Sequence, residues 1–248
     1  MTEIEYNTSD LEVLADLENY YLWIFDEIRP FLGSRLADVG AGVGTFTKFL
    51  INEHLASNPS SRLEAFEPAG NLYKHLCEML HNSYAGFTET GRLTAREGDF
   101  QTAPEQFDSV VMINVLEHIQ DDQEFVRLVH RSLTPGGTFI VFVPALQQLY
   151  SPLDRAVGHY RRYEKARLEM ILHRVGFDVV KSKYMDTVGA LSWYILHVLV
   201  GTQFISPRLA RLYDRWFVPP LRRIEDWFPP RVGKNILMVG RKSVTVQT

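Results

Sequence analysis

Residues 35–50 read R-L-A-D-V-G-A-G-V-G-T-F-T-K-F-L, and this stretch decides the fold. Leu36, Ala37 and Val39 form a short apolar run of strand type, after which Gly40, Gly42 and Gly44 strip the turn of side chains. From Thr45 to Leu55 apolar residues return at helical spacing, with Phe46, Phe49 and Leu50 on one face. A bare turn between strand and helix lets a bound molecule approach backbone N–H groups at the helix start. The glycines are spaced G-x-G-x-G, and Thr45 stands where a dinucleotide-binding G-x-G-x-x-G places its third glycine. Asp38, two residues before the first glycine, repels a pyrophosphate and attracts an ammonium or sulfonium. The turn is therefore expected to serve a ligand carrying positive charge.

The chain has 248 residues, 46% hydrophobic and 23% charged, enough to bury a core with ordinary globular composition. Its single cysteine, Cys77, excludes an internal disulfide, a Cys-based zinc site and a redox pair. Cys77 shares helical spacing with Leu72, Leu76 and Leu80 and reads as a structural thiol. No metal centre is expected. The start, M-T-E-I-E-Y-N, lacks the apolar run of a signal peptide, which predicts a cytoplasmic protein. The net charge of −4 conceals an asymmetry: from Ser206 onward nine Lys/Arg face Asp214, Glu225 and Asp226, giving +6 there and −10 before it. A basic end on an acidic body suits a membrane surface or an anionic ligand, or is solvated surface charge. No basic patch interleaved with aromatics marks the main body, so nucleic acid is not an expected partner.

Ser9-Asp10-Leu11-Glu12 reads as a capping box, with Leu11, Leu14, Leu17, Tyr21, Phe25 and Ile28 as one helical stripe up to Pro30. Strands are expected at Arg62 to Phe66, Leu93 to Glu97, Phe107 to Val115, Thr138 to Val143, Phe177 to Tyr184 and Asn235 to Arg241. Glu67-Pro68 opens a helix with Leu72, Leu76, Met79 and Leu80 inward. Asp121 to Glu124 cap another, Pro135-Gly136-Gly137 turns the chain into the fifth strand, and Gly176 stops a helix running from Tyr163 to Val175. Such alternation means an α/β fold, a parallel sheet with helices on both faces.

An acidic residue followed by x-G-x-G-x-G resembles motif I of the class I S-adenosylmethionine (SAM) methyltransferases, and N-V-L-E-H-I at 114–119 resembles their bacterial small-molecule, quinone-biosynthesis type. The resemblance runs from about Tyr20 to Lys242. It implies a Rossmann-like seven-stranded sheet with an antiparallel last strand, SAM as cofactor and S-adenosylhomocysteine as product. It also implies one domain over 1–248: a helical lid (1–34), a SAM-binding core (35–186), a substrate-cap or membrane-facing insertion (187–234), then the last strand and tail (235–248). Ligands of open α/β sheets sit beyond the carboxyl ends of the strands. The expected cofactor-binding set is therefore Asp38, Gly40, Ala41 and Gly42 after strand one, Glu67 and Pro68 after strand two, Asp99 and Phe100 after strand three, and Asn114, Val115 and Leu116 after strand four. In this family an acid at the Glu67 position takes the ribose hydroxyls. Asp99 and Phe100 suit the adenine, and a carbonyl of the 114–116 run suits the methionine ammonium. Helices ahead of motif I often form a lid, which adds Tyr20; Tyr21 belongs to the core-facing stripe.

For the acceptor side, His118 and His159 are candidate general bases, since an unperturbed imidazole titrates near neutrality; structural packing is the alternative for His118. Gly158 to Tyr163, G-H-Y-R-R-Y, lies in a long connection of functional type, and in this family it borders the acceptor pocket. Tyr160, Arg161, Arg162, Tyr163 and Trp193 form the expected substrate-binding set. The two arginines either hold an anionic group or pair with Asp154 or Glu164. Leu191 to Ile205 is too interrupted to span a membrane, and the segment after it alternates aromatics with arginines, as an interfacial helix, a homodimer surface or an acceptor cover does. No Pro-Pro-aromatic run follows Asn114 and no Pro-Cys element occurs, which excludes the DNA-methylating classes. The expected activity is O-methylation of a small, partly apolar or lipid-linked acceptor. N-methylation of an amino sugar or similar metabolite, or a SAM-binding module without chemistry, are the alternatives.

Overall fold

The computed structural model describes residues 17–101 and 103–244. The capping box at Ser9 and the stripe positions Leu11 and Leu14 lie outside the described residues.

Helix α1 (Glu18–Ile28) precedes β1 (Arg35–Val39), α2 (Thr45–Phe49), β2 (Arg62–Glu67), α3 (Gly70–Glu89), β3 (Leu93–Glu97) and β4 (Phe107–Ile113). Then come α4 (Asp122–Ser132), β5 (Leu133–Pro144), α5 (Pro152–Ala156), α6 (Lys165–Val175), β6 (Phe177–Met185), α7 (Thr187–Trp193), α8 (Pro207–Trp216), α9 (Val218–Trp227) and β7 (Asn235–Lys242). The strands form one seven-stranded sheet ordered β3-β2-β1-β4-β5-β7-β6. All pairings are parallel except those of β7, which runs antiparallel to both β5 and β6. Strand order reverses beside β1, so a crevice opens at the carboxyl ends of β1 and β4, where ligands of such sheets bind.

Alternation along the strands builds a core on each face. Leu36 and Val111 pack toward α1, α2, α3 and α9 with Trp23, Phe25, Leu50, Leu76 and Leu221. Ala37, Val39, Val110 and Met112 pack toward α4 and α6 with Val126, Val129, Leu168 and Leu172. Cys77 is half-buried, as a structural thiol should be.

Three boundaries differ from the sequence reading. The fifth strand begins at Leu133, and Pro135-Gly136-Gly137 is carried within it as a bulge: Phe107 pairs with Leu133, while Ser109 already pairs with Thr138. Proline and glycine mark bulges as well as turns. After Phe49 the helix widens into a π-helical turn over Leu50–Leu55. Tyr163 does not start α6; it bridges Ala145 in extended conformation, two residues before the helix.

The insertion between β6 and β7 is tied to the core by buried acids. Asp214 of α8 accepts from Asn19 N (3.1 Å) and Tyr20 N (2.8 Å), capping α1, whose own N-cap Leu17 has no capping side chain. Glu225 of α9 accepts from the backbone N–H groups of Asp186 (3.1 Å) and Thr187 (2.8 Å). Tyr213 donates its hydroxyl to Asp186, which also caps α7 through Gly189 N at 2.8 Å.

Candidate active site

The turn after β1 faces inward on its own structure. Gly40 N and Ala41 N both donate to the Phe66 carbonyl of β2 (2.8 and 2.9 Å), and Gly42 N donates to Glu67 Oε2 (2.8 Å). These three N–H groups are spent on β2, and the helix start expected to meet a ligand lies beyond them at Thr45. Gly40 is required because its φ is +72° and a Cβ there would lie 2.5 Å from Val115 Cγ2. Tyr21, Asp38, Gly40 to Val43, Thr45, Phe46, Ile113 and Asn114 enclose a cavity of about 120 Å³. A more open groove of about 500 Å³ lies at the opposite, amino end of the strands, around Gly33, Asp108 and Gly137. Its carboxylate, Asp108, is engaged by Arg35 at 2.8 Å, so the chemistry-bearing cavity is the smaller one.

What the cavity offers is carboxylate. Asp38 is buried and accepts from Thr47 Oγ1 at 2.6 Å. Burial, with the Glu67 charge adding, raises its carboxyl to about 6 against that hydrogen bond. Glu67 is buried beside it, with Oε1 accepting from Ala69 N at 2.9 Å. Burial raises Glu67 too, opposed by the Ala69 and Gly42 N–H groups. Each Glu67 oxygen keeps a second lone pair for a ligand. Asn114 holds φ +55° at the exit of β4, a left-handed conformation that asparagine tolerates better than most residues, and lines the cavity.

Other expected positions lie elsewhere. Tyr20 turns away from the cavity: its hydroxyl donates to Asn235 Oδ1 (3.0 Å) and its ring packs edge-on against Phe142, so Tyr21 takes the cavity wall. Phe100 is buried among Phe66, Phe107 and Phe125, while Asp99 is exposed. Val115 packs under Gly40, and Leu116 is buried with its carbonyl accepting from Tyr163 Oη at 3.2 Å. Pro68 is an exposed link between Glu67 and α3.

Beyond Val115 a second constellation forms. The turn Leu116–His118 meets the connection from α5 to α6, and the His118 and His159 rings stand edge-on with centroids 4.6 Å apart. Beside them lies Glu117, fully buried, with Oε1 3.8 Å from His159 Nε2, and missed by the sequence reading. Burial pushes its carboxyl up to about 7, against the nearby His159, while burial and then His159 pull His118 down to about 4. Burial opposes the charge of Asp154, but the hydrogen bond from His159, the Arg162 guanidinium and Ser151 hold its carboxyl at about 2.

The expected substrate-binding set divides. Arg162 is buried, donating to Asp154 Oδ1 at 2.9 Å and lying 4.5 Å over the Trp193 ring. Arg161 donates to Asp122 Oδ2 (2.6 Å) and to the Gln120 carbonyl (2.7 Å). Of the two acids foreseen as partners, Asp154 serves, whereas Glu164 accepts from Gln147 N instead. Trp193 Nε1 donates to the Leu149 carbonyl at 3.1 Å, and Tyr163 is buried with its hydroxyl also donating to Asp122 at 3.1 Å. Tyr160 alone of the set is largely exposed.

Residues 37–139 match the methyltransferase domain family. A ubiquinone biosynthesis O-methyltransferase of Ruegeria pomeroyi is 35% identical over 109 residues, covering 44% of this chain and 40% of that one. The chain spans about half the length of the curated relatives it matches. Among solved structures, a putative sarcosine dimethylglycine methyltransferase from Galdieria sulphuraria aligns over 91% of this chain and 86% of its own, with TM-score 0.62 and 14% identity. Phosphoethanolamine N-methyltransferase 2 of Haemonchus contortus, solved with phosphomonomethylethanolamine and S-adenosylhomocysteine, aligns over 95% of this chain and 58% of its own, with TM-score 0.61 and 17% identity. The match to the methyltransferase domain family thus covers residues 37–139, and the fold of the chain is that of these solved methyltransferases. The Haemonchus contortus enzyme has also been solved with S-adenosyl-L-methionine.

Proposed function

We propose that this chain is a SAM-dependent methyltransferase acting on a hydroxyl of a small, largely apolar acceptor. One observation carries the cofactor half of the reading: the cavity is lined by the Asp38 carboxylate, with Glu67 buried behind it on Gly42 N, while the N–H groups of Gly40, Ala41 and Gly42 are turned to β2. A carboxylate-lined cavity favours a cation and disfavours a pyrophosphate. Asp38 and Asn114 would hold the methionine end and Glu67 the ribose hydroxyls. When bound, SAM supplies a methyl group on a sulfonium, open to in-line displacement. The residues' task is then to fix donor and acceptor at near-attack distance, an effect worth up to roughly 7–11 kcal/mol.

Oxygen as the acceptor atom is supported by the relatives' names and by Glu117, His118 and His159, which gather at the turn following the cavity-lining Asn114. A hydroxyl must lose its proton to become a good nucleophile, and this is where titratable groups gather. The insertion at 187–234 would receive the acceptor on a single catalytic domain. Its exposed aromatics and arginines support a lipid-linked acceptor taken from an anionic membrane surface.

The test is incubation of the purified chain with labelled SAM and paired acceptors, a catechol or phenol with a long alkyl chain against the matching amines. Label in the phenolic product, located by mass, supports the reading. Label only in amines overturns it.

A further inference from the structure

The insertion meets the connection from α5 to α6 at Trp193, the last residue of α7. Its indole Nε1 donates to the Leu149 carbonyl at 3.1 Å, and the Arg162 guanidinium lies 4.5 Å over its ring. Arg162 is only 2% exposed, and burial disfavours its charge. Two partners offset this. Asp154 Oδ1 accepts from Arg162 Nε at 2.9 Å, and the π-face of Trp193 attracts a desolvated cation more strongly than an exposed one. The bond from Arg162 Nη1 to the Ala145 carbonyl is long, at 3.3 Å, and holds the guanidinium less firmly.

The same Asp154 oxygen serves His159. Oδ1 lies 2.9 Å from His159 Nδ1, while Oδ2 accepts from Ser151 N (2.9 Å) and Ser151 Oγ (2.8 Å). Asp154 is fully buried and held ionised, and a carboxylate only accepts, so the hydrogen of the His159 ring is on Nδ1. Nε2 then keeps its lone pair, on a side chain that is 12% exposed. Glu117 Oε1 faces Nε2 from 3.8 Å, beyond hydrogen-bond distance, so the contact at Nδ1 decides the tautomer. One oxygen can serve a guanidinium and an imidazole together only while both donors stay in place. Asp154 is thus the joint between Arg162 and His159, and Trp193 covers the open face of Arg162.

We propose that Trp193 is a positioning residue for His159. Through Arg162 and Asp154 it fixes the imidazole with its hydrogen on Nδ1 and its lone pair on Nε2, so the state of this histidine follows the seating of the insertion. Free histidine in water favours the opposite tautomer, so this one has to be imposed. Without the ring, Arg162 has an uncovered face in a buried place; the guanidinium shifts toward water and draws Asp154 away from Nδ1. The link stands on these contacts; its role rests on the methyl-transfer reading. In that role Nε2 takes the acceptor's hydroxyl proton as the oxygen bonds to the methyl carbon, the electron pair of the broken C–S bond staying on sulfur. The imidazolium, stabilised by Asp154, then gives the proton to solvent. An insertion displaced from the connection leaves His159 without its imposed tautomer, which ties turnover to the state of the acceptor cover.

The test is nitrogen-15 magnetic resonance of the purified full chain with labelled histidine, at about pH 8, above the usual imidazole range. The His159 signals are assigned through His159→Gln. The native ring should show a protonated Nδ1 and an unprotonated Nε2. Trp193→Leu, which removes the π-face, should give a mixture with hydrogen on Nε2. Trp193→Phe, which keeps a face and loses the indole N–H, should restore most of the native pattern. In Trp193→Leu, kcat on a phenolic acceptor should fall about tenfold or more, while SAM affinity by calorimetry stays at the native value. Hydrogen on Nε2 in the native chain overturns the proposal, as does a folded Trp193→Leu chain with the native His159 pattern. If Trp193→Leu does not fold, Arg162→Lys, which keeps the charge and loses the planar contact with the ring, decides in the same way. If neither folds, the native tautomer decides. A chain that shows the link and methylates nothing keeps the positioning and loses only the role assigned to it.

Discussion

At the residue scale the buried carboxylates of Asp38 and Glu67 carry separate expectations. Glu67 gives its first lone pairs to Gly42 and Ala69, so Glu67→Ala removes both a loop anchor and the acceptor proposed for the ribose. Hydrogen bonds to a charged group contribute about 1.5–3 kcal/mol, so SAM affinity measured by calorimetry should fall roughly 10–150-fold. Unchanged affinity would remove Glu67 from the site. Asp38 instead sets a pH dependence. Burial first, then Glu67, raises it to about 6, and Thr47 opposes them. A carboxyl raised on folding binds its proton more readily in the native state. Its contribution to stability therefore declines as pH rises from about 4 through 6 and is level above. Binding of a cationic ligand runs the other way, because only the ionised form attracts it. SAM affinity should be level above pH 7 and weaken below about pH 6, by up to tenfold per pH unit. In Asp38→Asn affinity at pH 8 should be lower and the break near pH 6 should be lost. A break that stays at pH 6 in that variant assigns the titration to another group.

At the scale of elements, what was legible were features coded within one stretch of chain. The run from Leu36 to Phe46 needed only local alternation and glycine spacing to announce strand, turn and helix, and Asp38 and Glu67 followed as strand ends. Contacts that cross the fold left no such mark. Asp214 caps α1 from nearly two hundred residues away, and Tyr20, judged only by its place on a helical wheel, proved to bond Asn235 of β7. Arg162 reads as an anion-binding arginine until the fold supplies Asp154 and Trp193. Glu117 was readable in principle, as an acid beside a histidine at a strand exit, but its full burial was not. The Asp214 cap gives a measurable consequence. Asp214→Ala strips α1 of its N-terminal acceptor and unties α8 from it, which should cost about 1–3 kcal/mol in denaturant unfolding. Asp226→Ala, at an exposed pair with Lys183, should cost well under 1 kcal/mol. Equal losses for the two variants would mean that α8 does not hold α1.

At the scale of the whole molecule, charge and apolar surface are concentrated together. No described helix is long and apolar enough to cross a membrane. Yet α8, α9 and the residue after them expose Leu209, Leu212, Trp216, Phe217, Ile224, Trp227 and Phe228, with Trp227 82% and Phe228 73% accessible. Two of the three acids in this basic end, Asp214 and Glu225, are buried as anchors, and the third, Asp226, lies 3.2 Å from Lys183. The outward face is thus more basic than the count of residues suggests, while the acidic charge lies on the body. Rings at headgroup depth with arginines against anionic lipid are the chemistry of an interfacial helix, each basic residue near the surface adding about 1 kcal/mol. The chain should therefore co-sediment with vesicles containing phosphatidylglycerol and not with phosphatidylcholine alone. Added salt should release it, since screening shortens the reach of the charges. Trp227→Ala combined with Phe228→Ala should cut the bound fraction severalfold while leaving SAM affinity in place, because neither ring approaches the glycine turn. Failure to bind anionic vesicles at low salt, together with a stable dimer in which Trp227 and Phe228 are shielded from solvent, would make this face a protein contact instead, as exposed apolar patches also are.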